Sequence, residues 1–143
     1  MKPTAFLAAI TGLVLVQPAV AGDSEITVIP ATQLDYQVTP EGVAFARLHG
    51  DRFEGAYMAM VRLPAGLVSP PHVKSANMYG IVVSGAMTHQ PAGADPSGGV
   101  RLETGAFYEV PKGLAHVSRC VSDVACVTFL YQDGRFDFLP VKP

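Results

Sequence analysis

The chain has 143 residues and 49% of them are apolar, which is enough for one domain with a substantial core and argues against disorder. Its net charge is −2, and Lys and Arg are not gathered in any cluster. Nucleic acid is therefore not an expected partner, because binding phosphates requires basic side chains collected on one face.

The first segment has the pattern of a signal peptide. An apolar run from Ala5 to Val16 follows an early Lys, and small residues stand at Ala19 and Ala21. The run is shorter than the roughly 20 residues that a membrane span needs. We therefore predict a leader over residues 1–21 that is cleaved after Ala21, with an uncleaved anchor as the alternative. The mature chain, 22–143, would be a single domain, periplasmic or extracellular, with no membrane attachment.

The rest of the chain is predicted to be all-β. Residues 23–41 contain one strand and a loop, and from position 43 onward short β-like runs alternate with Gly- and Pro-rich turns. Residues 57–62 alternate with a period of two, while other runs are apolar on both faces. These features indicate a jelly roll or barrel. The predicted strands are 43–48, 56–63, 78–83, 107–110, 115–120 and 126–131.

The segment 90–100, QPAGADPSGGV, is the one stretch of low complexity. Its composition predicts a flexible loop between two strands. A lid over a pocket is the alternative, since long loops in compact domains often have a function.

Two segments place glycine, proline and histidine at fixed spacing. Residues 66–85 read GLVSPPHVKSANMYGIVVSG, and residues 105–120 read GAFYEVPKGLAHVSRC. They resemble the two signature motifs of the cupin superfamily, and more loosely the mature chain resembles small exported cupins of unknown function. The resemblance implies an RmlC-like cupin jelly-roll β-barrel, a double-stranded β-helix. The matching positions are Gly66, His72, Gly85, Gly105, Pro111, Gly113 and His116.

The resemblance also implies a metal site from which two ligands are missing. Cupins bind one divalent metal through two His and a Glu of the first motif and a His of the second, which here leaves His72 and His116 as ligands. Lys74 stands at the position of the motif's second His, and Met78 stands at the position of its Glu. Cys120 occupies the last position of the second motif, which is normally Asn. An ammonium group cannot bind a cation, so the usual site is broken.

Two functional interpretations and one structural interpretation of His72 and His116 remain open. In the first, they line a pocket for a small anionic ligand, with Lys74 as its cation and Met78 beside it. In the second, they still bind a divalent transition metal or copper, and Met78 or another histidine, His49 or His89, completes the site of a metal-binding protein or a cupin oxygenase or isomerase. In the third, they have only a structural role. Whether the protein is an enzyme stays undecided.

The other candidates near the motifs each have a structural alternative. Lys74 shares the inner face with His72 if both lie in one regular strand, and a desolvated Lys can act as a Schiff-base former or general base, although no partner residues support catalysis. Met78 is more typical of core packing. Four more side chains could border the pocket, and only their closeness to the motifs in the sequence suggests it: Tyr79, His89, Gln90 and Tyr108.

The two cysteines, Cys120 and Cys126, are separated by a polar turn between two predicted strands. An oxidising compartment favours a disulfide across this hairpin, with free thiols in a redox or metal role as the alternative. Alternation from His116 turns Cys120 inward. Because many cupins pair through edge strands, the resemblance also implies a homodimer.

Overall fold

The computed structural model describes residues 25–142, so the predicted leader and its cleavage site at Ala21 lie outside it. The described chain is built from strands, with two short 3-10 turns at Ala31–Gln33 and Pro96–Gly98. No helix in this range is long and apolar enough to cross a membrane. The strands are β1 Tyr36–Val38, β2 Ala44–His49, β3 Tyr57–Leu63, β4 His72–Val73, β5 Met78–Ser84, β6 Met87–Pro91, β7 Phe107–Val110, β8 His116–Cys120, β9 Cys126–Gln132 and β10 Leu139–Pro140.

These strands form two antiparallel sheets that pack their apolar faces together. The larger sheet has the order β1-β2-β3-β9-β5-β7, and the smaller has the order β10-β4-β8-β6. Alternation sorts the side chains, as in β3, where Tyr57, Ala59, Val61 and Leu63 point into the core. The core cluster also takes Met87 from the smaller sheet. The predicted all-β fold is confirmed.

The six predicted strands all occur, with ends that differ by about one residue. Three observed strands were not predicted, namely β4, β6 and β10, and two of these are only two residues long. The predicted loop 90–100 begins inside β6, because Gln90 and Pro91 pair with Val117 and His116 of β8. The loop expectation is wrong at Gln90 and Pro91.

The glycines of the two motifs occupy backbone conformations that L side chains rarely adopt. Their φ angles are 72°, 76°, 89° and 79° at Gly66, Gly85, Gly105 and Gly113. At Gly85 a Cβ would also lie 2.9 Å from Ser122 Oγ and 3.0 Å from Cys126 Cα. The motif spacing therefore marks the turns that deliver β4, β5, β7 and β8 to their places.

The two cysteines connect the two sheets. Cys120 ends β8 in the smaller sheet and Cys126 begins β9 in the larger, and their sulfur atoms lie at disulfide-bonding distance, 2.09 Å. Cys120 points inward, as predicted, and both residues are buried. The geometry matches the disulfide interpretation rather than free thiols.

Gly80 in β5 provides a test of this packing. The Tyr108 ring crosses directly over it, and a Cβ there would lie 2.2 Å from Tyr108 Cζ. We expect Gly80→Ala to lower the free energy of unfolding by about 1–3 kcal/mol through overpacking. Urea unfolding would measure this. Gly98→Ala, where nothing lies within 4 Å of the added Cβ, is the matched control and should leave stability nearly unchanged. Equal effects of the two substitutions on the free energy of unfolding would contradict the close approach of the Tyr108 ring to Gly80.

Candidate functional site

Two histidines of the motifs meet at the centre of the smaller sheet. His72 in β4 lies directly opposite His116 in β8, and their ring centroids are 4.2 Å apart. Phe138 stacks on the other side of His72 at 4.3 Å with an interplanar angle of 20°. The sequence placed these two histidines together correctly, and the aromatic cover comes from Phe138, which lies outside both motifs.

Backbone carbonyls fix the tautomers of both rings. His72 Nδ1 donates to Pro70 O at 2.9 Å, and His116 Nδ1 donates to Leu114 O at 3.0 Å. Since a carbonyl oxygen only accepts, both Nδ1 atoms carry a proton and each neutral ring keeps its lone pair on Nε2. Within residues 25–142 the buried Nε2 of His116 has no hydrogen-bond partner.

A third histidine joins the pair from β6. His89 lies 6.5 Å from His116 between ring centroids, packs on Tyr108 at 4.1 Å, and shares a 2.9 Å hydrogen bond between its Nδ1 and Ser118 Oγ. Its buried Nε2 also has no partner among the described residues. The smaller sheet therefore supplies three imidazoles from three adjacent strands, each with Nε2 unused.

Burial keeps these imidazoles neutral. It lowers the pKa of His72 to about 4, an effect that the Pro70 carbonyl only partly opposes. Burial, followed by the nearby His116 and His72, lowers the pKa of His89 to about 3, and burial lowers the pKa of His116 as well. At neutral pH the three rings carry no charge, and His72 and His116 can accept a hydrogen bond or ligate at Nε2.

Lys74 is buried near the histidines and lines the same cavity. Its ammonium group donates to Asp137 O, and Nζ lies 4.0 Å from the centroid of the Phe136 ring and 5.7 Å from that of Phe138. Burial lowers its pKa to about 8, while Asp137 and Glu41 act in the opposite direction, so Lys74 is mostly protonated at pH 7. Since an ammonium group has three donors, two remain for a ligand.

Met78 and a set of paired polar groups form the opposite wall, on the larger sheet. Tyr108 OH lies 2.9 Å from Thr128 Oγ1, which itself donates to Phe129 O, so the tyrosine is the donor. Gln132 Nε2 donates to Arg135 O at 2.5 Å, and its Oε1 accepts from Tyr57 OH at 3.4 Å. These polar groups satisfy one another, so the free binding capacity lies on the histidine and lysine side.

Between these walls is a cavity of about 80 Å³, room for a few water molecules or a small organic molecule in their place. His72, Lys74, Met78, His89 and Tyr108 all line it, together with apolar side chains.

The remaining candidates lie outside this lining. His116 is buried behind His72, Tyr79 stacks on Tyr131 at 6.0 Å, and Gln90 is engaged with Asp95. His49 is exposed at the end of β2, so it is wrong as a further ligand at this site.

The residues present do not reproduce the four-ligand metal site of cupins. Lys74 is bonded to a carbonyl, and Met78 belongs to the apolar core cluster. Among residues 25–142, no group of three or more His, Cys, Asp or Glu side chains is arranged to hold a metal ion.

The sequence reasoning missed several residues of the site. Tyr57, Thr128, Gln132, Phe136 and Phe138 all line the cavity, yet none lies in either motif. Alternation in the predicted strand 56–63 turns Tyr57 to the same side as Ala59, which is a usable signal. Phe136 and Phe138 follow the last predicted strand, so only the folded chain places them over Lys74 and His72.

Two facing antiparallel sheets with motif histidines directed between them define a cupin domain. The chain belongs to the family of the ChrR cupin-like domain, whose model matches residues 24–134. No curated protein matches the sequence.

Solved structures share the fold at low sequence identity. KdgF from Halomonas sp. is 20% identical with a TM-score of 0.60, over 76% of this chain and 96% of that one. The polyketide cyclase RemF from Streptomyces resistomycificus is 16% identical with a TM-score of 0.66, over 83% of this chain and 87% of the RemF chain. ChrR, the anti-sigma factor bound to SigE in a Rhodobacter sphaeroides structure, is 19% identical with a TM-score of 0.56. The match covers 73% of this chain and 52% of the ChrR chain. At such identities the likeness concerns the fold alone.

The neutral histidines predict how stability depends on pH. His72 and His89 have pKa values of about 4 and about 3 in the fold, below the 6.5 of a free imidazole, so between these values the unfolded chain binds more protons. Stability should therefore be full above pH 6.5 and fall as the pH drops towards 4, by up to about 1.4 kcal/mol per pH unit for each ring.

Urea unfolding at pH 7, 5.5 and 4.5 would measure this dependence. His89→Gln should make it shallower, whereas His49→Gln, which alters an exposed ring, should not. A slope that His89→Gln leaves unchanged would show that this ring is not kept neutral by the fold.

Proposed function

We propose that this domain binds a small organic anion in the cavity, with Lys74 holding the negative group. The observation that carries the proposal is a buried ammonium group with two unused donors in the lining of a mostly apolar cavity. A buried charge without a partner is costly, and an anionic ligand would supply that partner. Aromatic contacts with Phe136 and Phe138 offset part of the cost in the free protein.

The histidine side refines the chemistry of this anion. His72 presents a lone pair at Nε2, because Nδ1 is bonded to Pro70 O, so it accepts a proton donor and repels a carboxylate oxygen. A ligand that suits both groups carries a carboxylate for Lys74 and a hydroxyl for His72. The small volume of the cavity limits it to a few heavy atoms. A short hydroxy acid has these properties.

Glycolate, with acetate for comparison, is a suitable probe. We expect glycolate to raise the melting temperature in a saturable manner and acetate to do so less, because acetate lacks the hydroxyl group. Lys74→Met, which keeps an unbranched side chain of similar length and removes the charge, should weaken glycolate binding at least about tenfold. Lys112→Met alters an exposed lysine and should bind like the parent. Equal binding by both variants would refute the proposal.

A transition metal or copper bound by imidazoles is the second candidate. It is favoured by the fixed tautomers, since ligating histidines commonly donate their other ring nitrogen to a backbone carbonyl and leave Nε2 for the metal. Dialysis of untagged protein against Zn²⁺, Cu²⁺ and Cu(I), followed by measurement of bound metal per chain, distinguishes metal binding from anion binding. Stoichiometric metal that is lost in His72→Ala would favour this candidate over the anion.

We further propose that the protein is exported. The leader pattern ending at Ala21 supports this, as does the cysteine pair at bonding distance, because disulfides persist in oxidising compartments. Expression of the full chain with fractionation and intact-mass measurement is the test. We expect a non-cytoplasmic product that begins at Gly22 and has no reactive thiol. A cytoplasmic product that retains Met1–Ala21 would contradict export.

A further inference from the structure

A second cavity lies beside the one that contains Lys74, at the edge of the larger sheet formed by β1 and β2. Inward-facing side chains of β1, β2 and β3 form its floor, and the loop 50–53 and residues before β1 form its sides. Its volume is about 370 Å³, compared with about 80 Å³ for the first cavity. This size is typical of small-molecule sites and exceeds what the first cavity can hold.

Arg52 lies in the lining of the second cavity and is held there by aromatic rings. Its Cζ is 4.8 Å from the ring centroid of Phe45, 4.7 Å from that of Phe53 and 5.2 Å from that of Phe136. Each ring attracts the guanidinium group through a cation–π contact. Phe45 and Tyr57 line both cavities, so Arg52 stands behind the wall that separates them.

The guanidinium group of Arg52 lacks an acceptor. The residue is half-buried, and its buried Nη1 has no hydrogen-bond partner among residues 25–142. In the same range the ion pair that forms is Arg101 with Glu103, so no carboxylate of the described chain neutralises Arg52. An arginine has five N–H donors, and leaving a buried one unpaired is costly. A ligand that brings acceptor oxygens would remove this cost.

Charges of the opposite sign line the same cavity. Asp51 in the loop has one oxygen engaged, since Oδ1 accepts from Phe53 N at 2.8 Å. Continuing the antiparallel register of β1 and β2 by one residue places Asp35 opposite Arg47, which is also in the lining. Across the described part of the chain, neither carboxylate forms an ion pair with Arg47 or Arg52. The cavity therefore offers separate sites for an anion and for a cation.

The remaining lining of the second cavity is apolar and partly open to solvent. Phe53 is 57% exposed, Ile29 is 39% exposed and Met58 is 37% exposed. Phe53 is therefore free to stack on a ring of a ligand, in the offset or edge-to-face arrangement that aromatic pairs prefer.

We infer that the second cavity binds an α-amino acid with an aromatic side chain. Its carboxylate pairs with Arg52 in the bidentate geometry that a guanidinium favours, its ammonium group lies by Asp35, and its ring packs on Phe53. A lone carboxylate would lie beside Asp35 and Asp51, and a lone amine would lie beside Arg52. A molecule that carries both charges avoids each of these repulsions. This site is separate from the one proposed for the small anion, and neither depends on the other.

Isothermal titration calorimetry of the purified protein with three related probes tests the inference. Phenylalanine carries both charges, hydrocinnamate lacks the ammonium group, and phenethylamine lacks the carboxylate. We expect phenylalanine to bind with one molecule per chain and each of the other two to bind at least about tenfold more weakly. Phenylalanine is too large for the first cavity, so a failure of glycolate to bind there would leave this result unaffected.

Two substitutions locate the binding site. Arg52→Gln should weaken phenylalanine binding by about tenfold or more, because the carboxylate loses its charged partner. Asp35→Asn should weaken phenylalanine binding without weakening that of hydrocinnamate, which has no ammonium group. Asp35 is exposed, so this variant keeps the test valid if Arg52→Gln fails to fold. Asp123→Asn, in the exposed turn between β8 and β9, is the matched control and should bind like the parent.

Three results would overturn the inference. The first is a protein that does not bind phenylalanine. The second is hydrocinnamate or phenethylamine binding as tightly as phenylalanine, because the cavity would then not require both charges. The third is equal phenylalanine binding by Asp35→Asn and Asp123→Asn, which would place the bound amino acid elsewhere.

Discussion

The candidate site depends on a single cross-strand contact, His72 opposite His116. β4 has only two residues, so it contributes few ladder hydrogen bonds of its own. Flanking bonds hold it instead, from Gly113 N to Lys74 O at 2.8 Å and from Val141 N to Pro71 O at 3.0 Å. These bonds keep the segment extended beyond the end of β4. Lys74 therefore points to the same side as His72, although the strand has already ended.

The parts of the structure that follow from local rules were predictable from the sequence. The motif glycines have positive φ angles because tight turns require them, and alternation placed Lys74 and Cys120 inward. His89 and Phe138 were harder to assign, because their positions depend on which strands become neighbours. The order β10-β4-β8-β6 joins segments that are far apart in the sequence, and no local pattern encodes that order.

The two substitutions in the first motif change the electrostatic character of the site. A His and a Glu would provide a lone pair and a negative charge, which suit a cation. Lys74 and Met78 provide a positive charge and an apolar thioether instead. The fold accommodates the buried cation by surrounding it with Phe136, Phe138 and a carbonyl oxygen. Under the proposed function, the same scaffold position would attract ligands of the opposite charge.

The cysteine pair determines where the two sheets can separate. It joins β8 to β9 at the end of the domain where Cys126 lies opposite Leu63, whereas Gln132, at the other end of β9, lies opposite Tyr57 beside the cavity. The covalent link therefore fixes the spacing of the two sheets at that end, whereas Gln132 at the other end is held by hydrogen bonds to Tyr57 and Arg135. The domain is thus covalently closed on one side of the cavity and closed by non-covalent contacts on the other.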